Sequence, residues 1–555
     1  MHSLTSRFAT LAEVFRNHQL RRLELAWGGY YLGEWTLFVA LSIYAYEHGG
    51  TTAVGILGFI RMGAAAVALP FGGMLTDRYP RQRVLLGIYL VRAVSLAAIA
   101  LALEHSSSRA VVFALAALAA VTVAPVRPAT MALAPLLART PTELVATNVA
   151  SSTLEGTGTF AGPVIGGVLA GSAGIDVAVW VAAGIYVGSA LLAGRIRREG
   201  EVAARPRTQK NALAELLHGA RTLAREPHPR LLVLLAASQS FTRGLLNVLL
   251  VVTALDLLDV GDSGLGWLNA ALGVGGLVGG LVTVGLVGRR RLAGPFGFSL
   301  VLWGAPIALI SAWPHLGWAL VCIGVIGLGN ALLDVALFTL LQRTVDEHVL
   351  GRVLGVMEIL LAAGVALGSA LGSLEVNQIG IRPALVVSGL FLPALAVLAY
   401  RSLRTIDDAS SVPERQLELV SAVPLFAPLP ANTLERLAFR LLEVKAKAGT
   451  TIIAQDTPGE LFYLIASGTV DVLHDGKPVV ALGSGDYFGE IALLHNIERT
   501  ADCVARTDVE LYALNSENFV AAVGGDQRTT ATAADVVTRR LVEIDVPMPT
   551  SDVRQ

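Results

Sequence analysis

Twelve apolar stretches, each long enough to cross a lipid bilayer, constrain the fold of this chain more than any other feature. A helix of about 20 apolar residues spans the hydrocarbon layer, where backbone groups must be paired within the spanning structure. With a mean hydropathy of +0.62 and 15% charged residues, most of the chain must lie in lipid. We therefore predict an all-α polytopic membrane protein. The predicted spans, numbered one to twelve, are Leu25–Tyr46, Ala53–Leu75, Val84–Leu103, Val111–Leu133, Val145–Leu169, Val177–Ile196, Leu231–Leu255, Leu265–Val287, Phe296–Ala312, Leu316–Leu340, Val353–Leu374 and Ala384–Tyr400.

Arginines are concentrated in the connections that would lie on one side of the membrane. The opposite connections hold only Arg109 and Arg382. Because arginine-rich connections remain cytoplasmic, we predict that both termini are cytoplasmic and that the protein lies in a plasma or inner membrane. The net charge of −1 gives no sign of a nucleic-acid partner, and none is expected.

A degenerate repeat divides the spans into two halves of six helices. Residues 136–145 read LLARTPTELV, and residues 340–349 read LLQRTVDEHV. Duplicated halves suit alternating access, in which one half rocks against the other around a midplane site. The predicted organisation is an amphipathic N-terminal helix at 1–22, the first half at 23–196, a hinge connection at 197–230, the second half at 231–402, a linker at 403–417, a β-domain at 418–545 and a tail at 546–555.

The loop after span two reads GMLTDRYPRQR over residues 73–83. It resembles the loop signature of the major facilitator superfamily, which implies the fold of that family and a secondary transporter. The resemblance also implies that Asp77 latches the cytoplasmic side through a neighbouring helix end and an arginine of span four, for which Arg127 is the candidate. An ordinary positively charged membrane anchor is the alternative. The gate candidates in and near this loop are Gly73, Asp77, Arg78, Arg81 and Arg127.

Span five contains glycines at four-residue spacing with a proline in mid-span. Such glycines let two helices pack closely, and the proline bends the helix. The pattern resembles one found in exporters of the same superfamily that work as antiporters, although close packing alone would also explain it. These further gate candidates are Gly158, Gly162, Pro163, Gly166 and Gly167.

Six ionisable residues inside the spans are candidates for transport or ion coupling: Glu34, Arg61, Arg92, Arg243, Asp334 and Glu358. A charge within the membrane is costly and is a functional candidate by default. Glu34 and Asp334 are the preferred proton carriers because both lie well inside their spans. Fixed ion pairs with the arginines are the alternative. The substrate is expected to be a small organic molecule, and its identity stays open.

From residue 442 the apolar period changes to two, with short strands separated by glycine turns. This pattern predicts a β-roll, preceded by two helices between Gln416 and Phe439. Two helices are also expected to follow the strands.

The sequence FGEIALL at 488–494, followed by Arg499-Thr500-Ala501, predicts an anion pocket. Glycine allows close backbone approach, and an arginine fork suits a phosphate. The motif resembles the phosphate-binding cassette of cyclic-nucleotide-binding domains. By that resemblance, backbone amides and Arg499 hold the cyclic phosphate, Glu490 binds the ribose hydroxyl, and Thr500 is associated with tolerance for guanine. The implied ligand residues are Phe488, Gly489, Glu490, Ile491, Ala492, Leu493, Arg499, Thr500 and Ala501.

We therefore expect a proton-coupled exporter regulated by cytoplasmic cyclic AMP or cyclic GMP. The alternatives are a membrane receptor with a nucleotide-linked output, and a transporter whose β-roll has lost its ligand. No catalytic cofactor, metal site or enzymatic activity is expected, because the pocket has no metal ligands and no candidate base. The expected partners are the substrate, the nucleotide, the lipid bilayer and, as an open question, a second copy of the chain.

Overall fold

The computed structural model describes residues 16–105, 108–138, 141–196, 212–283, 291–345, 347–410, 414–427, 429, 431–495 and 497–524. Most of the predicted N-terminal helix, the end of the predicted β-domain and the tail at 546–555 lie outside these ranges. The chain divides into two compact units, Met1–Ala409 and Ser410–Gln555.

The first unit is a bundle of long helices. Its helices are α1 (His18–Arg78), α2 (Arg81–Glu104), α3 (Arg109–Val121), α4 (Val126–Leu137), α5 (Pro141–Ala173), α6 (Ile175–Gly194), α7 (Ala212–Arg225), α8 (Pro227–Val252), a π-helical turn (Thr253–Leu257), α9 (Gly261–Thr283), α10 (Ala293–Ala312), α11 (Leu316–Thr344), α12 (Glu347–Ile379) and α13 (Ile381–Ser410).

The predicted spans correspond to these helices. Among the described residues, ten helical segments are long and apolar enough to cross a membrane. One of them, α1, contains spans one and two, which are separated by non-helical backbone at Gly50. Span four comprises α3 and α4, with Pro125 between them, and span five lies in α5. The ten segments contain eleven of the predicted spans, and α5 contains the twelfth, so the prediction of a twelve-span, all-α membrane unit is confirmed.

Spans one and five pack through glycines. A methyl group at Gly162 would lie 2.6 Å from Cβ of Trp35, and one at Gly166 would lie 2.7 Å from the carbonyl oxygen of Thr36. In the second half, spans seven and eleven pack in the same way, since a methyl group at Gly372 would lie 3.2 Å from Cα of Leu245. The equivalent pairs of helices in the two halves are thus both held by close backbone contact.

Gly162→Leu is expected to lower the free energy of unfolding by about 1–3 kcal/mol, because the added side chain forces spans one and five apart. Thermal unfolding of the purified protein in detergent measures the effect. Gly184→Leu is the matched control, because a methyl group at Gly184 meets no atom within 4 Å. Equal melting temperatures for the two variants would contradict the close packing at Gly162.

The first part of the predicted linker at 403–417 is helical, because α13 continues to Ser410. Leu403 and Ile406 are buried. Asp407 accepts hydrogen bonds from the backbone N–H groups of Leu292 and Ala293, at 2.9 and 2.8 Å. The polar composition that suggested a linker therefore includes a side chain that caps the start of α10.

The second unit contains helices α14 (Glu414–Ala422), α15 (Ala431–Arg440), α16 (Glu490–His495) and α17 (Ser516–Gly524), with a 3₁₀ turn at Pro424–Phe426. Its strands are β1 (Leu442–Ala446), β2 (Thr451–Ile453), β3 (Leu461–Ser467), β4 (Val470–His474), β5 (Lys477–Leu482), β6 (Tyr487–Phe488), β7 (Asp502–Ala505) and β8 (Val509–Asn515).

In the described residues of this unit the strands form two antiparallel four-stranded sheets, in the orders β1-β8-β3-β6 and β2-β7-β4-β5. The flanking helices cover one sheet around Phe426, Phe462 and Phe519, which are fully buried. The rings of Phe462 and Phe519 stack at 4.6 Å. The predicted β-roll is confirmed, with two helices before the strands and one after them. The second helix expected after the strands lies outside the described residues.

Candidate functional site

A cavity of about 570 Å³ lies in the β-roll next to the predicted phosphate cassette. Cassette residues form one wall, and apolar side chains of the strands form another. Of the nine predicted ligand residues, all except Leu493 line the cavity; Leu493 is 2% exposed and packs in the hydrophobic core. The lining residues that sequence reasoning missed include Ala422, Pro424, Ile453, Val472, Val480, Leu482 and Cys503.

Gly489 adopts a backbone conformation that other residues rarely take, with φ at 92°. A methyl group there would lie 2.8 Å from Nη1 of Arg499 and 3.0 Å from the carbonyl oxygen of Leu461. Glycine is therefore required both by the positive φ and by the space. It lets the backbone of β6 turn directly into α16.

Arg499 is fixed beside this turn. Its Nη1 donates to the carbonyl oxygen of Gly489 at 2.8 Å, and its Nη2 donates to that of Leu461 at 2.7 Å. Burial lowers the pKa of the guanidinium, but an arginine side chain stays protonated in proteins. A permanent positive charge, 6% exposed, therefore lines the cavity.

Glu490 is the buried acid of the cassette, with only 1% of its surface exposed. Next to it, the ring of Phe488 stacks on Tyr463 with the ring centroids 5.1 Å apart, which fixes the start of the turn. Thr500 and Ala501 line the cavity beside Arg499. The cavity thus combines a fixed cation, a buried acid and an apolar wall, which is the chemistry needed to hold an anion, a sugar and a base.

A second candidate site lies in the membrane unit, where the structure brings Glu34, Arg61 and Arg92 together. Arg61 donates to Glu34 at 2.9 Å, and Arg92 forms an ion pair with the other carboxylate oxygen. Arg92 also donates to the carbonyl oxygen of Ala119 at 3.3 Å and lies over the ring of Tyr186 at 4.8 Å. Glu34 is held between two buried guanidinium groups, as the fixed-pair alternative requires.

Asp334 has a different environment. Its carboxylate accepts a hydrogen bond from Nδ2 of Asn330 at 3.0 Å, and Oδ1 of Asn330 accepts one from Nε1 of Trp303 at 3.1 Å. Arg243 lies within electrostatic range, without a salt bridge at 4 Å or less to Asp334 among the described residues. The side chain of Asp334 has exposed surface although the residue lies deep among the helices.

The charges near Asp334 come from both halves. Arg127 and Glu155 of the first half and Glu358 of the second half all interact electrostatically with Asp334. Sequence reasoning missed Glu155, although an acid inside span five meets the same rule that selected the other candidates. Acidic and basic side chains from both halves therefore lie near one another at the division between the halves.

The gate candidates are only partly described. The side chain of Asp77 lies outside what the structure describes, so its predicted latch with Arg127 stays a prediction. Arg81 donates to the carbonyl oxygen of Ala132 at 3.1 Å, which links the loop to span four. Arg78 lies over the ring of Tyr79, and a methyl group at Gly73 would meet no atom within 4 Å.

Gly167 and Pro163 connect the two halves. A methyl group at Gly167 would lie 2.9 Å from Cα of Gly266, and one at Gly266 would lie 2.6 Å from the carbonyl oxygen of Pro163. Gly158 packs within its own half, because a methyl group there would lie 2.6 Å from Cβ of Tyr31. The span-five motif therefore packs helices both within and between the halves.

Hydrogen bonds also join the halves at the ends of the spans remote from the β-domain connection. The Tyr46 hydroxyl donates to Asp256, which lies on the π-helical turn, and Asn377 donates to the Thr52 hydroxyl at 2.8 Å. π-Helical turns are rare, and they occur often at functional sites.

Comparison with protein families identifies two matches. The family model described as Major Facilitator Superfamily matches residues 25–238 and 232–451. The model described as Cyclic nucleotide-binding domain matches residues 443–525.

Among curated proteins, the chain is similar to the cAMP-dependent protein kinase regulatory subunits of Aspergillus niger and Schizosaccharomyces pombe. The first is 36% identical over 163 residues and the second 33% identical over 160 residues; each match covers 28% of this chain and 39% of the relative. A solved structure of the regulatory subunit of a cAMP-independent protein kinase A from Trypanosoma brucei is 30% identical, with a TM-score of 0.21, covering 23% of this chain and 45% of that one. The chain thus spans less than half of these relatives.

Proposed function

The chain belongs to the Major Facilitator Superfamily, and on that premise we propose that it is a proton-coupled exporter of small organic molecules regulated by a cyclic nucleotide. The family match over both six-helix halves carries the transporter part of this proposal. The proposed location is a plasma or inner membrane with both termini in the cytoplasm, as the arginine distribution favours.

The cavity at Arg499 is the proposed regulatory site, with cyclic AMP as the ligand. Its fixed guanidinium suits a cyclic phosphate, and its apolar wall at Val472, Val480 and Leu482 suits a base. The similarity to regulatory subunits named for their cAMP dependence favours adenine. Thr500 also lines the cavity, so the affinity for cyclic GMP should be compared with that for cyclic AMP.

Asp334 is the proposed proton carrier. A coupling carboxylate must gain and lose a proton as water access changes, so it needs exposure and a loose counter-charge. Asp334 is exposed and bonded to a neutral amide, whereas Glu34 is held by two guanidinium groups. These contacts favour Asp334 for coupling and a structural role for Glu34.

Regulation requires that the nucleotide bind one conformation of the transporter more tightly than another. Ala422 and Pro424 line the cavity; Ala422 ends α14, and Pro424 begins the 3₁₀ turn after it. Helix α14 follows the last membrane helix after residues 411–413. The cavity is therefore connected to α13 through a short segment of the chain. We propose that this segment, rather than a helix beyond residue 524, conveys binding to the transporter.

We expect saturating cyclic AMP to change the labelling rate of Thr52→Cys by about 5-fold or more, the lower end of typical allosteric coupling. Thr52 is exposed and bonded across the halves, so its reactivity follows the opening of this end. The measurement uses a hydrophilic maleimide on protein reconstituted in lipid nanodiscs. The same variant carrying Arg499→Ala is the control and should not respond. An unchanged rate at nucleotide concentrations that saturate binding by calorimetry would refute regulation of this gate.

A further inference from the structure

A groove of about 710 Å³ opens on the second half, between spans seven, eleven and twelve. All of its lining residues belong to that half, and none of them is among the charges around Asp334. Most of them are large apolar side chains. They include Phe241, Leu371, Leu374, Val387, Leu390 and Phe391.

One carboxylate interrupts this apolar lining. Glu375 accepts a hydrogen bond from Oγ of Ser388 at 2.8 Å, and Ser388 is 2% exposed. Across the described part of the chain, no lysine, arginine or histidine forms an ion pair with Glu375. One hydroxyl satisfies only part of a carboxylate, and an ionised carboxylate in an apolar setting needs an opposite charge.

The apolar walls face outward from the bundle. Leu374, Val387 and Leu390 are 51%, 58% and 53% exposed. On a membrane helix such side chains meet lipid, so a ligand can enter the groove from the side. Phe241 and Phe391 are in edge-to-face contact at 5.8 Å and add an aromatic surface that a cation can approach.

We propose that this groove binds a lipophilic monovalent cation, with the positive group against Glu375 and the apolar body along the exposed leucines and Val387. The carboxylate selects charge, because a cation supplies the missing counter-charge while a neutral or anionic molecule does not. The volume is in the range of roughly 300–1,000 Å³ found for small-molecule sites. The site does not depend on the proposed coupling or regulation.

The test is protection of Val387→Cys from a fluorescent maleimide by tetraphenylphosphonium, in phosphatidylcholine nanodiscs. The two native cysteines, Cys322 and Cys503, are buried and provide a low background. Tetraphenylphosphonium is expected to protect the protein that carries Val387→Cys alone. Adding Glu375→Gln should raise the tetraphenylphosphonium concentration that gives half protection by about 10-fold or more, because a charged contact is lost. Adding Glu375→Asp, which retains the charge, should keep most of the protection. Adding Glu104→Gln is the matched control on the first half and should leave it unchanged.

Three results would overturn the proposal. The first is equal protection in the Glu375→Gln protein when its thermal unfolding matches the parent. The second is equal protection by neutral triphenylphosphine oxide, which would make the groove a general apolar surface. The third is protection by phosphatidylethanolamine in the nanodisc alone, which would identify a lipid headgroup as the occupant.

Discussion

Arg499→Ala is expected to weaken cyclic AMP binding to the whole chain by about 100-fold or more, because truncating one partner of a buried charge pair costs about 2–5 kcal/mol. The guanidinium provides the fixed positive charge of the cavity, and its two bonds also hold the carbonyl groups of Gly489 and Leu461 in place. Alanine removes both effects. Isothermal calorimetry on the detergent-purified protein measures the affinity.

The controls separate lost charge from lost structure. Arg499→Lys keeps a positive charge but loses the fork, so an intermediate affinity is expected. Arg415→Ala removes an exposed arginine paired with Glu510 at 2.7 Å and should leave affinity unchanged. If Arg499→Ala melts at the wild-type temperature and binds within about threefold of wild type, a difference below 1 kcal/mol, the phosphate role of Arg499 is wrong.

The phosphate cassette could be predicted from sequence because its parts are close along the chain. Gly489 lies in the turn, Glu490 begins the short helix α16, and Arg499 lies in the connection between α16 and β7, so their spacing nearly determines their geometry. The apolar wall could not be predicted in the same way. Val472 pairs with Val480 and Cys503 across strands, and only the strand register decides which side chains face the cavity.

In the membrane unit, length and hydropathy predicted the spans but not the partners of their charges. Glu34 forms ion pairs with Arg61 and Arg92 from two other spans, a consequence of how three spans pack. Glu375 lies just beyond the predicted end of span eleven at Leu374, although α12 continues to Ile379. Local patterns thus locate helices, while pairings between distant helices require the assembled bundle.

Asp334→Asn is expected to abolish proton-coupled transport while leaving the protein folded. Asparagine keeps the size of the side chain and can still bond to Asn330, but it cannot release a proton. Substrate-driven proton movement in inverted membrane vesicles should therefore fall to background. A substrate is first identified by screening organic compounds against the wild-type protein, and substrate exchange without a proton gradient should persist in the variant.

Glu34→Gln is the informative comparison, because it removes the carboxylate that two buried guanidinium groups share. Leaving a buried charge without its partner costs about 3–5 kcal/mol, so this variant should melt at a lower temperature. The two carboxylates are thus distinguished by stability and by coupling. If Asp334→Asn still drives proton movement, Asp334 is not the proton carrier. If, in addition, Glu34→Gln abolishes proton movement at an unchanged melting temperature, Glu34 carries the proton instead.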